Sequence, residues 1–223
     1  MIKAVAQAIP TYAMSCFDLT KSLCEETSTM ICRYWWNHQD EKNKCHWISW
    51  EQMTRAKQDG GMGFRDLHIF NMAMLARQSW RLLQNPDSLC CTVLKAMYFP
   101  DCSILNAEAK PAMSYSWRSI LRWLELLKEG IIWRVGSGEN IDAWKDPWIP
   151  AGVTRRVRTP DVMEEPVMVS DLIDSTTSQW DEEVLRAIFD TADVEEILKI
   201  PICNGMEDSV AWFFDKKGMF SVK

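Results

Sequence analysis

Apolar residues recur every three or four positions through most of the first 130 residues, which is the spacing of amphipathic helices. Pro10 is expected to divide the first helical segment, because proline interrupts a helix interior. A polar stretch, NHQDEKNK, precedes a short strand or turn that leads into another helical stretch within 45–57. The other predicted helices are 2–17, 22–36, 66–84, 88–98 and 116–128.

Capping residues indicate where these helices begin and end. Ser22 and Glu25 form an S-x-x-E capping box, and Asp66 is the expected N-cap of a later helix that Asn85 and Pro86 stop. The residues expected to face the core are Leu23, Thr27, Met30, Ile31 and Tyr34 in 22–36, Leu67, Phe70, Met74, Leu75, Trp80 and Leu83 in 66–84, and Trp117, Ile120, Leu121, Leu124 and Leu127 in 116–128.

From residue 131 onward, β-prone runs replace the helical spacing. IIWRV and IDAW flank the turn GSGEN, which predicts one short hairpin, and the runs around DKKG predict a second near the end of the sequence. WDEEVLRAIF and ADVEEILKI predict two acidic helices. The fold is therefore predicted to be mainly α: a helical region, 1–130, followed by a small α+β part, 131–223, with two short β-hairpins.

The composition predicts a packed core and limits the partners. The 223 residues are 47% hydrophobic and include 12 Trp, so a tryptophan-rich core is expected. Residues 1–130 carry fifteen Lys and Arg against thirteen Asp and Glu, whereas 131–223 carry ten against eighteen. A polyanion would therefore bind to the first part and be repelled, on average, by the second. This charge distribution excludes the class of uniformly basic nucleic-acid-binding proteins.

Eight cysteines raise the question of disulfides or a metal site. The sequence has no CxxC pair and no secretory signal peptide, so reduced, mostly buried thiols are predicted. The best metal candidates, Cys32, His38, Cys45 and His46, match no zinc-finger spacing, and neither a metal nor another cofactor is predicted. No apolar run approaches membrane-spanning length, so no membrane partner is expected.

Two glycine-rich stretches could be mistaken for phosphate-binding loops. QDGGMGF does not fit the Gly-x-Gly-x-x-Gly pattern, and RVGSGENIDAWKDPWIP has neither the P-loop lysine nor a long helix behind its glycines. Both are predicted to be turns. In the second stretch, Trp144 and Trp148 are expected to fix the loop to the helical body, while Pro147 and Pro150 stiffen it.

Eight motifs occur in an order that is similar to that of a known family. They are IPTYAMS, YWWN, HWISWEQM, GGMGFRDL, FNMAMLARQSWRLL, SYSWRSIL, WRVGSGENIDAWKDPWIP and FSVK. In this order they resemble the carboxy-terminal, post-palm region of plant LINE-type non-LTR retrotransposon reverse transcriptases, a region that also occurs in open reading frames of plant mitochondrial genomes. The resemblance covers essentially the whole chain.

The resemblance implies a helical thumb-like or connector region at 1–130 and a connector at 131–223, truncated at the start of a zinc-binding module that an RNase H domain sometimes follows. Polymerase chemistry in that family needs two adjacent aspartates that hold two divalent metals, and the sequence has no Asp-Asp pair. We therefore expect a non-catalytic fragment of an RNA-directed DNA polymerase polyprotein, lacking its palm and zinc-binding domains, inside the cell in the nucleus or the mitochondrion.

RNA or DNA is the expected partner of the helical half, through cations beside aromatic residues. Arg77 and Arg81 lie next to Trp80, and Arg118 and Arg122 lie next to Trp123. Each pair is spaced i, i+4, so its two arginines lie on one helix face. Arginines beside tryptophan also cover apolar surface, and a helical protein-interaction module that binds no nucleic acid is the alternative. The candidate contacts are Arg77, Arg81, Arg118, Arg122, Arg155, Arg156 and Arg158.

No catalytic residue is predicted. Cys45 and His46 are adjacent, which on a strand points them to opposite faces, and no third group that would orient them is identifiable. The paired carboxylates Glu182/Glu183 and Glu195/Glu196 are more simply the solvated faces of amphipathic helices.

Overall fold

The computed structural model describes residues 7–36, 47–163, 165–174, 176–203 and 205–222. The chain divides into two compact units, residues 1–127 with 221–223 and residues 128–220. The described part is mainly α-helical with two small antiparallel sheets, which confirms the predicted fold class. Within these described ranges, no helix has the length and apolar character needed to cross a bilayer.

In the described residues between 11 and 128, six α-helices follow one another. They are α1 (Thr11–Cys16), α2 (Lys21–Trp36), α3 (Trp50–Thr54), α4 (Leu67–Gln84), α5 (Leu89–Tyr98) and α6 (Tyr115–Lys128), with single 3₁₀ turns at Lys57–Asp59 and Ile104–Asn106. The Asp66 carboxylate accepts the N–H groups of His68 and Ile69, which confirms the predicted cap of α4. Pro10 precedes α1, where its missing N–H costs the helix nothing.

The predicted start of α2 is wrong, and of its five predicted core residues only Ile31 is buried. The helix begins at Lys21, and the Thr20 hydroxyl accepts the Leu23 N–H, whereas the Ser22 hydroxyl donates to Glu26. The side chains that α2 buries are Cys24, Ser28, Ile31 and Cys32, and those left exposed include Leu23, Met30 and Tyr34. Packing against α4 selects the face with small side chains, because small residues allow two helices to approach closely.

The core around these helices consists of two clusters. Met14, Met53, Phe64 and Leu67 are buried in the first, and QDGGMGF reverses the chain beside it, with Gly60 at φ 76° and Gly63 at φ 64°, as predicted. In the second cluster, the Trp117 ring stacks on Tyr98 and Phe99 at centroid distances of 4.9 and 5.4 Å. Leu124 and Leu127 of α6 are also buried, as the sequence pattern predicts.

The second unit combines short strands and two helices. Its elements are β1 (Ile131–Arg134), a 3₁₀ turn (Val169–Leu172), β2 (Ile173–Asp174), β3 (Gln179–Trp180), α7 (Glu182–Ile188), α8 (Thr191–Ile197) and β4 (Ser209–Trp212). The two acidic helices are confirmed, and β2 pairs with β3. Buried residues of the loops and of both helices form one core, with Ile141, Trp148, Leu172, Leu185 and Ile197 at its centre.

The first predicted hairpin is wrong, because β1 pairs with a strand far away in sequence. Ile131 lies opposite Trp212 and Arg134 opposite Ser209, in antiparallel register with β4. The IDAW segment contributes only one isolated bridge, from Asp142 to Met168. At the second predicted hairpin, the turn forms, since the Gly218 N–H donates to Asp215 O, but in the described residues no strand follows it.

Candidate nucleic-acid interface

Helices α4 and α6 place their predicted arginines on the surface of the first unit. Arg77, Arg81 and Arg118 are exposed, and Arg81 Nη1 donates to Gln78 Oε1 over 3.2 Å. Trp80, by contrast, is 4% exposed, which confirms its predicted place in the core, so its ring is not accessible to a base. The surface that remains on α4 is a pair of guanidinium groups without an exposed aromatic ring between them.

Arg122 has an acidic partner. Its Nη1 donates to Asp18 Oδ2 over 2.7 Å, and the indole N–H of Trp123 donates to the other oxygen of this carboxylate over 3.0 Å. The Tyr115 hydroxyl donates to Asp18 O, and the Asp18 N–H donates to the Ser119 hydroxyl. Arg122 and Trp123 therefore bind the segment after α1 to α6, and the positive charge of Arg122 is offset by a carboxylate.

Asn71 of α4 holds the same segment from a second side. Its side chain is fully buried; Nδ2 donates to the carbonyl oxygens of Met14 and Phe17 over 2.8 and 2.9 Å, and Oδ1 accepts the Leu19 N–H over 2.8 Å. These three bonds satisfy backbone groups that the end of α1 leaves without helical partners. The IPTYAMSCFDL stretch is thus fixed by side chains that follow it by more than fifty residues.

Of the three arginines of the second unit that are predicted contacts, Arg155 is buried. It adopts φ 57°, and its guanidinium donates from Nε to Ile131 O over 3.1 Å and from Nη2 to Glu129 O. Burial lowers the pKa of this guanidinium. Arg155 therefore stabilises the start of β1, whereas Arg156 and Arg158 are exposed.

The glycine loop at 134–150 does surround an anion, which is the carboxylate of Asp208. The N–H groups of Gly136 and Gly138 donate to Asp208 Oδ1 over 2.8 and 2.9 Å, and the Asn140 N–H donates to Oδ2 over 3.0 Å. Successive N–H groups of this kind form a nest, a concave anion-binding arrangement of backbone. Because Asp208 occupies the nest, these N–H groups are not available to an external phosphate, as the sequence predicts.

Both glycines of this loop are required because backbone atoms of other segments lie too close for a Cβ. A Cβ on Gly136 would lie 2.2 Å from Met206 O, and one on Gly138, at φ 78°, would lie 2.5 Å from the Ser170 N. The loop folds onto residues 168–170 and 206–208 instead of turning back on β1, which is the physical reason that the predicted hairpin does not form.

Removal of the Asp208 carboxylate should loosen this loop. We expect Asp208→Ala to lower the free energy of unfolding by about 2 kcal/mol, since three N–H groups lose a charged acceptor at a half-buried position. Hydrogen exchange of peptides that span 134–142 should accelerate, and exposed Glu207→Ala is the matched control. Equal exchange in the two variants would contradict a nest that depends on Asp208.

The second half of the loop contains two carboxylates that differ in pKa. Burial acts to raise the pKa of Asp142, but N–H groups of Lys145 and Trp144 and the Lys145 ammonium outweigh it and lower that pKa. Burial raises the pKa of Asp146, whose Oδ2 accepts the Asp142 N–H. Such separated pKa values occur in acid–base pairs. Here the oxygens bind the backbone of their own turn, beside a cavity of only about 110 Å³, so the pair fixes a loop.

Trp144 and Trp148 pack inside the second unit. The Trp144 indole donates to Thr159 O over 3.0 Å and its ring lies 5.1 Å from that of Phe189, while the Trp148 indole donates to Ala143 O over 2.9 Å. The two tryptophans are therefore plugs, as predicted, and these partners are loops and helices of the second unit.

The described residues contain no group of three His, Cys, Asp or Glu side chains placed to hold a metal ion. Of the predicted metal candidates, Cys32 is buried on α2, and His38, Cys45 and His46 lie outside the described residues, as does the Cys45/His46 nucleophile pair. Of the seven cysteines that the structure describes, Cys24, Cys32 and Cys91 are buried and four are not, so the prediction of mostly buried thiols is wrong.

A cleft of about 740 Å³ lies beside α2 in the first unit. Its lining includes Cys24, Cys32, Trp50, Asp66 and His68. The Asp66 carboxylate is engaged as the cap of α4, and burial raises the pKa of the Cys24 thiol, with the charges of Asp66, Asp18 and Glu25 adding to that effect. A thiol with a raised pKa is less readily deprotonated to the nucleophilic thiolate, which disfavours Cys24 as a nucleophile.

Two Arabidopsis thaliana proteins are similar to the chain. One, named "Uncharacterized mitochondrial protein", is 41% identical over 143 residues, which cover 64% of this chain and 93% of that protein. The other, named "Putative ribonuclease H protein", is 28% identical over 243 residues, which cover all of this chain and 37% of that protein. No protein-family model and no solved structure matches the chain.

Proposed function

The chain belongs to the family of the Arabidopsis thaliana mitochondrial protein, and from this premise we propose that it is a non-catalytic fragment or relic of a plant LINE-type reverse transcriptase polyprotein that contacts RNA or DNA. The proposed segments are a thumb-like or connector region at 1–130 and a connector at 131–223. The observation that carries the nucleic-acid role is the exposure of Arg77, Arg81 and Arg118 on two long helices of the first unit.

The chain is similar over its full length to a protein named as a putative ribonuclease H. Because that name denotes an enzyme that acts on nucleic acid, the similarity supports the proposed descent from a protein that acts on nucleic acid. The positive balance of residues 1–130 supports the placement of the contacts in the first unit. Arg122 and Arg155 leave the set of proposed contacts, since the first pairs with Asp18 and the second is buried against carbonyl oxygens. Arg156 and Arg158 remain as exposed contacts of the acidic second unit.

A protein-interaction module is the second candidate, and one surface favours it. Leu89, Val93 and Met97 follow one another at intervals of four residues on α5 and are 80%, 49% and 62% exposed. Residues four apart lie on one helix face, so the three side chains form an apolar stripe on the surface. Such a stripe fits an apolar groove or helix of a partner protein.

Salt-dependent binding tests the proposal. We expect the full chain to bind a fluorescently labelled RNA or single-stranded DNA at low salt, and Arg77→Glu together with Arg118→Glu to weaken this binding. The slope of log K against log salt should fall by about 1 for each phosphate that the variant no longer neutralises. Arg33→Glu, which makes half of this charge change at an exposed position of α2, is the control.

Equal losses from the control and from the double variant would contradict the α4/α6 surface. Indifference of the chain to nucleic acid at low salt would favour the protein-interaction module. Extension of a primed template by the purified chain with Mg²⁺ or Mn²⁺ would overturn the non-catalytic assignment, because the sequence carries no adjacent aspartates to hold two metals.

A further inference from the structure

The turn after β4 carries exposed aromatic and basic side chains close together. Phe214 is 69% exposed, Phe213 37% and Met219 56%, and Lys216 and Lys217 between them are exposed. We call these five residues the aromatic tip. The exposed arginines of α4 and α6 belong to the first unit, whereas the aromatic tip lies entirely in the second.

The Phe213 and Phe214 rings pack against other side chains of the second unit. Phe214 meets Trp212 edge-on at 5.6 Å and Phe213 edge-on at 5.4 Å, and the buried Arg155 guanidinium lies 5.3 and 5.9 Å from the Phe213 and Phe214 ring centres. The backbone of the turn is fixed by Asp215, which accepts the N–H groups of Lys217 and Met219. A ring that is fixed on one side and exposed on the other is suited to stack on a planar ligand at little entropic cost.

The charge of the tip is opposite to that of its unit. Residues 131–223 have an excess of Asp and Glu, yet Lys216 and Lys217 stand together at the turn. A Cβ on Gly218 would lie 2.5 Å from Arg134 Nη2, so a third cation lies against the same turn. The tip therefore attracts an anion locally within a unit that repels polyanions on average.

Size decides between the classes of ligand. A stable protein interface buries about 800 Å² on each partner. A single myristoyl chain gives only marginal membrane binding. The two rings and one methionine of the tip therefore offer too little apolar surface for a stable protein interface or for membrane binding. Single bases, by contrast, stack on single rings, and the adjacent phosphates require only nearby cations. A duplex does not offer unstacked bases to such a surface.

We propose that the aromatic tip is a stacking site for single-stranded RNA or DNA, in which Phe214 contacts a base and Lys216 and Lys217 contact the flanking phosphates. This site shares its ligand class with the proposed function and in that respect rests on it, but it uses different residues in the other unit. The two surfaces can therefore be tested independently.

The test uses Phe214 variants of the full chain with labelled oligo(dT), oligo(U) and a DNA duplex. Phe214→Leu keeps the apolar surface but removes the ring, and we expect it to raise the Kd for both single strands roughly five- to one-hundred-fold. Phe214→Trp should retain binding, because a larger ring still stacks. Duplex binding should be unchanged by either substitution.

Matched controls separate stacking from general effects. Tyr12→Leu removes an equally exposed ring in the first unit, at 81% exposure, and should leave the Kd unchanged. Lys216→Glu together with Lys217→Glu should weaken binding and reduce its salt dependence by about 1 for each lysine that contacts a phosphate. Circular dichroism of each variant checks that the fold is retained.

Three outcomes would overturn the proposal. If Phe214→Leu binds single strands as the wild type does while Arg77→Glu with Arg118→Glu binds less, the tip is not a site and the proposed function survives. If the wild-type chain binds no oligonucleotide at low salt, both the stacking site and the proposed function are wrong. If the chain sediments with vesicles of phosphatidylcholine and phosphatidylserine, loses this binding in Phe214→Leu and does not bind single strands, the tip is a membrane contact.

Discussion

Asn71→Ala should destabilise the first unit by about 4 kcal/mol, because it leaves one buried and two partly buried backbone groups without partners. The carbonyl oxygens of Met14 and Phe17 lose their donor, and the Leu19 N–H loses its acceptor. Each unsatisfied buried group costs about 1–3 kcal/mol, and the substitution leaves a cavity in addition. Urea unfolding followed by helical circular dichroism measures the loss, since most described helical residues lie in this unit.

Two further variants test the reason for this effect. Asn71→Asp has nearly the same shape but turns a carboxylate oxygen toward the two carbonyl oxygens that Nδ2 contacts, so it should be as damaging as alanine. Asn106→Ala, at an exposed asparagine of the same unit, should stay within about 0.5 kcal/mol of the wild type. A tolerated Asn71→Asp would contradict the hydrogen-bond account and leave only packing.

Asp193→Ala should have an effect of similar size, about 4 kcal/mol, on the second unit. Asp193 is 3% exposed, and its Oδ2 accepts the N–H groups of Arg158 and Thr159 and the Thr159 hydroxyl at 2.7, 2.8 and 2.7 Å. The Thr159 hydroxyl in turn accepts the N–H of Asp190, the residue before α8. Loss of the carboxylate therefore frees the 158–159 segment and weakens the start of α8 together.

Hydrogen exchange locates this second effect. Peptides that cover 155–163 and 190–197 should lose protection in Asp193→Ala, and Asp193→Asn should lose less because it keeps one acceptor oxygen. Asp190→Ala is the control: its side chain is exposed and makes no capping hydrogen bond, so a change within about 1 kcal/mol is expected. Equal loss of protection in Asp190→Ala and Asp193→Ala would show that helix charge, and not the Asp193 carboxylate, holds the segment.

Residues that carry no signal in the sequence make most of the tertiary polar bonds. Asp18, Asn71, Asp193 and Asp208 bind groups that lie between 34 and 105 residues away. A single Asp or Asn in a polar or apolar segment does not indicate such a partner. These residues are marked only by their burial, which is nearly complete for Asn71 and Asp193 and partial for Asp18 and Asp208, and burial is a property of the fold.

The candidate interface was only partly predictable for a related reason. The i, i+4 spacing of Arg77/Arg81 and Arg118/Arg122 places each pair on one helix face, and Arg77, Arg81 and Arg118 are indeed exposed. Spacing also places Trp80 in the core, as found, but it does not reveal that Asp18 meets Arg122. The helix face follows from the spacing of nearby residues, whereas the neighbours of that face come from distant segments.

Helical periodicity and most caps and stops determined the fold class and the positions of most helices from the sequence alone, because each depends on residues within a few positions of one another. The starts of α1 and α2 are the exceptions. The pairing of β1 with β4, the buried face of α2 and the occupation of the glycine loop by Asp208 were decided only in the tertiary structure. In each of these cases more than one local solution satisfies the sequence. The choice between them is made by a strand, a helix or a carboxylate that is distant in the chain and close in space.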